Sequence, residues 1–282
     1  MLYMNKKREV YLDNAASTRM DDRVLEAMLP YMKGCYGNPS STHRLGNEAR
    51  VAISEVRREV MDRLGAEDGS VFFTSGGTEA NNWAIMGGVE ACGIKHIITS
   101  AIEHDSVLSS VRRAVTGGGI GESSVPLGQG GEIDYEGLGD MLARHPKALV
   151  SLMHANNEVG NVTDLHREGG MCRRYGAIFH TDMMQTIGHY PIRLKELPVD
   201  MCTASAHKFY GPKGVGFVYV RQGVRLMPLL YGGLQERGLR GGTEHIAGIV
   251  GLGKALAICT SYDDRHRAGI RALKGYMIER LR

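Results

Sequence analysis

Thr203-Ala204-Ser205-Ala206-His207-Lys208-Phe209-Tyr210-Gly211-Pro212-Lys213-Gly214 runs from an apolar segment into a Ser-x-His-Lys turn that closes on Gly-Pro. Residues 201–205 form a short apolar run bounded by turn residues, the pattern of a strand buried in a sheet. Lys208 therefore sits just past a strand's end. A lysine in a turn is, by itself, an ordinary solvated charge. An amine bonds to a carbonyl only when neutral, and desolvation or a nearby cation moves it toward that state, which makes Lys208 a candidate Schiff-base position.

Outward from this stretch, short apolar runs recur at residues 70–74, 96–100, 148–154 and 178–181, and residues 214–221 add an alternating strand after the Tyr210-Gly211-Pro212 turn. Helical segments lie between them. Residues 44–64 carry Leu45, Ala49, Ala52, Ile53, Val56, Val60, Met61 and Leu64 near a 3.6-residue period and stop at Gly65, a good C-cap residue. Residues 79–92, 106–115, 135–144 and 166–175 read as further helices, and 262–282 as a charged amphipathic one. This alternation predicts an α/β domain with a mostly parallel sheet covered on both faces, whose ligands bind beyond the carboxyl ends of the strands. The glycine-rich residues 117–131 read as a mobile loop. No internal repeat or low-complexity linker interrupts the pattern.

Two other strand ends carry chemistry. Phe72-Phe73-Thr74-Ser75-Gly76-Gly77-Thr78-Glu79-Ala80-Asn81-Asn82 joins a strand, a glycine turn and a helix start. Main-chain N–H groups and hydroxyls in such a place bind phosphate, although the same residues also suit an ordinary turn capped by Thr78. Asp182 follows residues 178–181 and is suited to pair with a protonated pyridine nitrogen, while His104 can lie flat against such a ring. Taken singly, the bland readings win: Asp182 as a helix cap and His104 as a satisfied polar residue.

The bulk numbers are those of an ordinary soluble globular protein. With 282 residues, 43% hydrophobic and 23% charged, and a net charge of +3 without a basic block, the chain gives nucleic acid no electrostatic footprint. The N-terminus has no apolar signal core and no window is apolar over a membrane's width, so a cytoplasmic protein without membrane contact is expected. Cys35, Cys92, Cys172, Cys202 and Cys259 are odd in number and contain no CxxC pair, so neither a disulfide framework nor a metal site is indicated. Glycine is in excess, 38 of 282 residues against roughly 7% in average usage.

In order along the chain, Tyr11-Leu12-Asp13-Asn14-Ala15-Ala16-Ser17-Thr18, Gly37-Asn38-Pro39-Ser40-Ser41, Thr74 to Glu79, Met153-His154-Ala155-Asn156-Asn157-Glu158-Val159-Gly160, His207 to Gly214 and Gly232 to Glu244 resemble the NifS/IscS-like cysteine desulfurases. These are class V aminotransferase-like enzymes that use pyridoxal 5'-phosphate and supply sulfur for iron–sulfur clusters. The resemblance covers essentially the whole chain. It implies the type I fold of pyridoxal-phosphate transferases: a large domain, residues 18–262, with a mostly parallel seven-stranded sheet between helices, and an incomplete small domain formed by 1–17 and 263–282.

By the same resemblance Lys208 carries the cofactor, His104 stacks on its ring and Asp182 pairs with the ring nitrogen. Gln185 and Asn157 sit near the ring hydroxyl and substrate, and Gly77, Thr78, Ser205 and His207 hold the phosphate. The threonine matching Thr243 reaches the neighbouring subunit's phosphate, which implies a homodimer with shared sites. Substrate and products are L-cysteine, L-alanine and a persulfide passed to an acceptor or scaffold protein. The family's nucleophilic cysteine and carboxylate-binding arginine lie in the small domain beyond the matching region, so a chain ending at Arg282 is expected to bind cofactor but turn over cysteine poorly. Ser17, Met183-Met184 and the glycines of 117–131 depart from the family pattern. Readings left open are a selenocysteine or cysteine lyase, and a non-catalytic paralogue that binds cofactor or dimerises.

Overall fold

Seven strands make one sheet in the order β1-β7-β6-β5-β4-β2-β3: β1 (Ser70–Thr74), β2 (His96–Ser100), β3 (Gly121–Val125), β4 (Leu149–Ser151), β5 (Ile178–Asp182), β6 (Met201–Ser205) and β7 (Gly216–Val220). Only β7 runs against its neighbours; the other six strands share one direction, so their carboxyl ends lie along one edge. The computed structural model describes residues 10–262 and 264–281. Residues 1–9, 263 and 282, parts of the segments expected to belong to a small domain, lie outside the described residues.

Alternation along the strands divides the core between the sheet's two faces. Phe72, Ile97, Leu149, Met201 and Val218 pack with α3 (Gly77–Asn82), α4 (Gly88–Cys92) and α5 (Asp105–Gly118). Val71, Phe73, Ile98, Val150, Phe179 and Phe217 pack on the other face with α1 (Asp22–Lys33), α2 (Arg44–Arg63), α6 (Tyr135–Arg144), α7 (Leu165–Tyr175) and α8 (Ile246–Thr260). Side chains that alternate across the pleat thus make a three-layer sandwich, as the strand–helix alternation predicts. The last helix, α9 (Asp264–Leu281), exposes Leu273, Tyr276 and Leu281. No helix among the described residues is long and apolar enough to cross a membrane.

Three local expectations are corrected. Residues 117–131 are not a mobile loop: α5 extends into them, and β3 pairs with β2 in register from Gly121 to Val125. Strand β4 is shorter than expected, because beyond Ser151 the chain bends into the pocket wall while Leu152 and His154 keep N–H bonds to the carbonyls of His180 and Asp182. The helix expected at 79–92 starts at Gly77 and contains a π-helical turn, Trp83–Gly87. Helix α8, apolar around most of its circumference, shows little of the amphipathic stripe that reveals a helix in sequence, whereas α1 carries such a stripe but has Pro30 inside it.

Candidate active site

At the carboxyl edge of the sheet lies a cavity of about 480 Å³, within the range of small-molecule sites. Its lining contains Gly77, Thr78, His104, Asn157, Asp182, Gln185, Ser205, His207 and Lys208. Segments far apart in sequence therefore meet in one place, each just after a parallel strand. Asp13, Ala15, Ala16, Met153, Ala155, Glu158 and Met184 complete the wall; none of these was singled out from sequence as a site residue.

The turn bearing Lys208 is tied down from several sides. After β6 the chain makes one 3-10 turn, Ala206–Lys208, and Tyr210 then adopts a left-handed φ of 63°. A non-glycine residue holds that conformation only when its surroundings enforce it. Thr18 provides much of the enforcement: its N–H and hydroxyl both donate to the His207 carbonyl at 2.8 Å, and its oxygen accepts from Tyr210 N at 2.7 Å. The His189 ring adds a contact to the Lys208 carbonyl at 2.9 Å. Lys208 Nζ donates to the Ala15 carbonyl at 2.5 Å, and Gln185 Nε2 donates to the same oxygen at 2.9 Å. Burial lowers the pKa of the Lys208 amine, against the opposing pull of Asp182 and Asp13.

Asp182 ends β5 and is 4% exposed. Met184 N–H donates to Oδ1 at 2.9 Å and Asn81 Nδ2 to Oδ2 at 2.7 Å. Burial pushes its carboxyl upward, while these donors and the nearby His104 and Lys208 pull it back. His104 is the N-cap of α5, its Nδ1 accepting from Ser106 N at 3.1 Å. Thus the satisfied His104 anticipated as a bland reading is present, whereas Asp182 caps no helix, since only turns follow β5 before β6; both side chains line the cavity. Asn157 donates to Glu158 Oε1 at 2.7 Å, and His207 Nδ1 lies 3.3 Å from Ser17 Oγ.

At the other end of the cavity Gly76 caps α3 with φ 149°, a region nearly closed to residues with a Cβ. A Cβ on Gly216 of β7 would lie within 2.9 Å of Gly76's own backbone, so glycine at both positions lets turn and strand touch. Thr78 is inside the helix rather than its N-cap. Met184 folds its thioether against Gly77, close enough that a Cβ on Gly77 would meet its methyl carbon; the Met183-Met184 departure therefore reshapes this wall, with Met183 itself wholly buried in the core.

Within one chain Thr243 stands apart, exposed and lining a separate cleft with Phe73, Glu236 and Arg240. That loop is firmly held. Glu236, at φ 44°, accepts two bonds from Arg57 at 2.7 and 3.0 Å and one from Phe73 N at 3.1 Å, and Arg240 forks onto Glu79 at 2.7 and 3.0 Å. None of the five cysteines lines the Lys208 cavity. Cys172, Cys202 and Cys259 are buried, and burial raises all three thiols, Cys259 to about 12.

Residues 10–282 match the class-V aminotransferase family, and the chain belongs to that family. Cysteine desulfurases are among its relatives within that family. It is 44% identical over 274 residues to the cysteine desulfurase IscS of Dictyoglomus turgidum, covering 96% of this chain and 69% of that protein. Against the cysteine desulfurase IscS of Methanosarcina thermophila it is 42% identical over 278 residues, 98% of this chain and 68% of that one. Among solved structures, a NifS-like protein superposes with a TM-score of 0.92 at 38% identity, covering 96% and 75% of the two chains. SspA in complex with cysteine gives a TM-score of 0.83 at 36% identity, covering 88% and 72%.

Proposed function

We propose that this chain is the cofactor-binding part of a pyridoxal-phosphate-dependent cysteine desulfurase, converting L-cysteine to L-alanine and passing the sulfur to a protein thiol as a persulfide. The observation that carries the reading is Lys208 with its amine eased toward neutrality by burial, in the same cavity as the sealed carboxyl of Asp182. The cavity fits the cofactor on its own terms. Asp182 is a buried acid whose bonds within the protein are to amide N–H groups, so it favours a cation such as a protonated pyridine nitrogen. Gly76 and Gly77 put no side chain of their own where a phosphate would rest, and the Met184 thioether that packs against Gly77 is a flexible group that can move aside for it.

Pyridoxal phosphate supplies, when bound, an aldehyde for an amine to bond and a ring that draws electrons from the substrate's Cα. The remaining work falls to the protein. Lys208 is the amine placed to hold the aldehyde and, once released, to take and return the Cα proton; the Ala15 carbonyl keeps Nζ at the cavity when free. Asp182 holds the ring's charge and His104 covers its face, while Gly77, Thr78, Ser205 and His207 hold the phosphate. Gln185 and Asn157 face the ring hydroxyl and the substrate. Thr243, exposed on its pinned loop, reaches the site of a second copy in a homodimer, and iron–sulfur cluster assembly is the destination of the sulfur. The division into residues 18–262 and flanking small-domain segments belongs to the same reading.

The five cysteines lie off the cavity, so no thiol of this sequence is placed to accept the sulfur. The 282-residue chain should therefore bind the cofactor, show its visible absorbance, and form alanine from cysteine far below an ordinary enzyme's rate. Borohydride reduction and peptide mapping should place the cofactor on Lys208, and Lys208→Ala should abolish the absorbance. An adduct on another residue, or none, overturns the assignment; rapid alanine and persulfide formation overturns the statement about the thiol.

A further inference from the structure

Behind the cavity, buried polar side chains form one hydrogen-bonded chain. Thr203 Oγ1 donates to Asn81 Oδ1 at 2.6 Å. Asn81 Nδ2 donates to Asp182 Oδ2 at 2.7 Å and to Ser106 Oγ at 2.9 Å. Ser106 Oγ lies 2.8 Å from His104 Nδ1. Thr203 is wholly buried, Asn81 is 1% exposed and Ser106 7%, so water does not compete for these groups.

The direction of every bond follows from the inventory of donors and acceptors. A carboxylate only accepts, so the amide of Asn81 turns its NH2 toward Asp182, and its oxygen faces the Thr203 hydroxyl, which can donate. The second amide hydrogen occupies a lone pair of Ser106 Oγ. That leaves the Ser106 hydroxyl hydrogen for His104 Nδ1, where the Ser106 backbone N–H also points, from 3.1 Å. With two donors aimed at Nδ1, the neutral ring carries its proton on Nε2.

We propose that Asn81 is a positioning residue for the cofactor ring, fixing through one amide both the lone-pair direction of Asp182 and, by way of Ser106, the tautomer of His104. The group beneath the ring nitrogen and the group against the ring face are thereby set together rather than separately. This rests on the reading that the cavity takes pyridoxal phosphate. A helix residue in contact with neither substrate nor solvent thus joins two residues that do line the cavity.

The test has two arms on the full 282-residue chain. In cofactor-free protein labelled with ¹⁵N-histidine, with the His104 signal identified by its loss in His104→Gln, Nδ1 should resonate as an unprotonated nitrogen and Nε2 as a protonated one. In the second arm, pyridoxal phosphate is titrated by absorbance into wild type, Asn81→Ala, Ser106→Ala and the double variant. Asn81→Ala should weaken binding about tenfold, as expected for a lost hydrogen bond to a charged group. It should also move the pH midpoint of the bound cofactor's visible band upward by about half a unit or more, because a less well-held carboxylate supports less charge on the ring. Ser106→Ala should weaken binding less. The double variant should match Asn81→Ala within about twofold, since residues in one chain are not additive.

A proton on Nδ1, an unmoved midpoint in Asn81→Ala, or losses that multiply in the double variant would each overturn the proposal. Where Asn81→Ala fails to fold, Thr203→Val keeps the side chain's shape and removes the donor that orients the amide. Severalfold weaker binding supports the proposal, and unchanged affinity overturns it. Failure of the wild-type chain to take the cofactor at all sinks the functional reading while the tautomer arm still decides the hydrogen-bond order.

Discussion

Asp182 and Glu103 are two carboxyl groups carried to the same end of the same sheet and almost equally sealed from water, at 4% and 6% exposure, yet they sit in opposite electrical settings. Asp182 has an N–H donor on each oxygen and Lys208 and His104 nearby. Glu103 takes the Ser100 hydroxyl and Met153 N–H on Oε1, has no hydrogen-bond partner on Oε2 among the described residues, and faces Asp182. Glu168, buried beyond Thr163, faces Glu103 in turn. Burial raises both Asp182 and Glu103, but only Glu103 lacks a nearby cation to offset it, and it reaches about 8. Depth alone does not decide which buried acid serves a ligand; the sign of its neighbours does.

The widest gap between the two should appear in cofactor binding. Asp182→Ala should weaken pyridoxal phosphate by about a hundredfold in an absorbance titration, the size of a lost charge-assisted bond in a dry site, while Glu103→Gln stays within about twofold of wild type. Equal losses in both variants would erase the distinction. Stability should show the reverse. The unfolded chain releases the Glu103 proton near the usual 4.5 and the folded chain keeps it to about 8. Folding therefore takes up a proton across that window, so this contribution is fully present below pH 4.5 and is lost as pH rises toward 8. Its slope is about 1.4 kcal/mol per pH unit. Denaturant titrations from pH 5 to 8 should show a flatter decline in Glu103→Gln, and an unchanged slope would mean the carboxyl is ionised. On cofactor affinity the smallest effect should come from Glu168→Gln, which leaves it unaltered because Glu168 does not line the cavity; as another acid raised to about 8 chiefly by burial, it should flatten the pH dependence of stability as Glu103→Gln does.

Lys208, Asp182 and the Gly76-Gly77 turn were legible in sequence because each follows an apolar run that could only be a buried strand, and chemistry in such sheets collects after strands. Strand β3 was not. Gly121-Glu122-Ser123-Ser124-Val125 lies at the sheet's edge and buries only Val125 fully, so its residues carry polarity that reads as loop. Asn81 was quoted within a motif but given no role, since an amide's value depends on which acid, hydroxyl and imidazole the fold brings beside it. Ala15 was equally hidden: what it gives Lys208 is a backbone carbonyl, which every residue possesses. Arg57, which clasps Glu236 from the middle of an otherwise ordinary amphipathic helix, left no signal beyond its charge.

Strand β7 bears on how the molecule comes into being. It lies between β1 and β6, with Gly216 opposite Thr74 on one side and Ser205 on the other, so a single late-made residue stitches together the Gly76-Gly77 turn and the turn that bears Lys208. A ribosome must extrude more than two hundred residues before those two edges can meet. If the cavity takes pyridoxal phosphate as proposed, its capture is a closing event of folding and not its seed, and the free cofactor should speed the final consolidation of the chain rather than its first collapse.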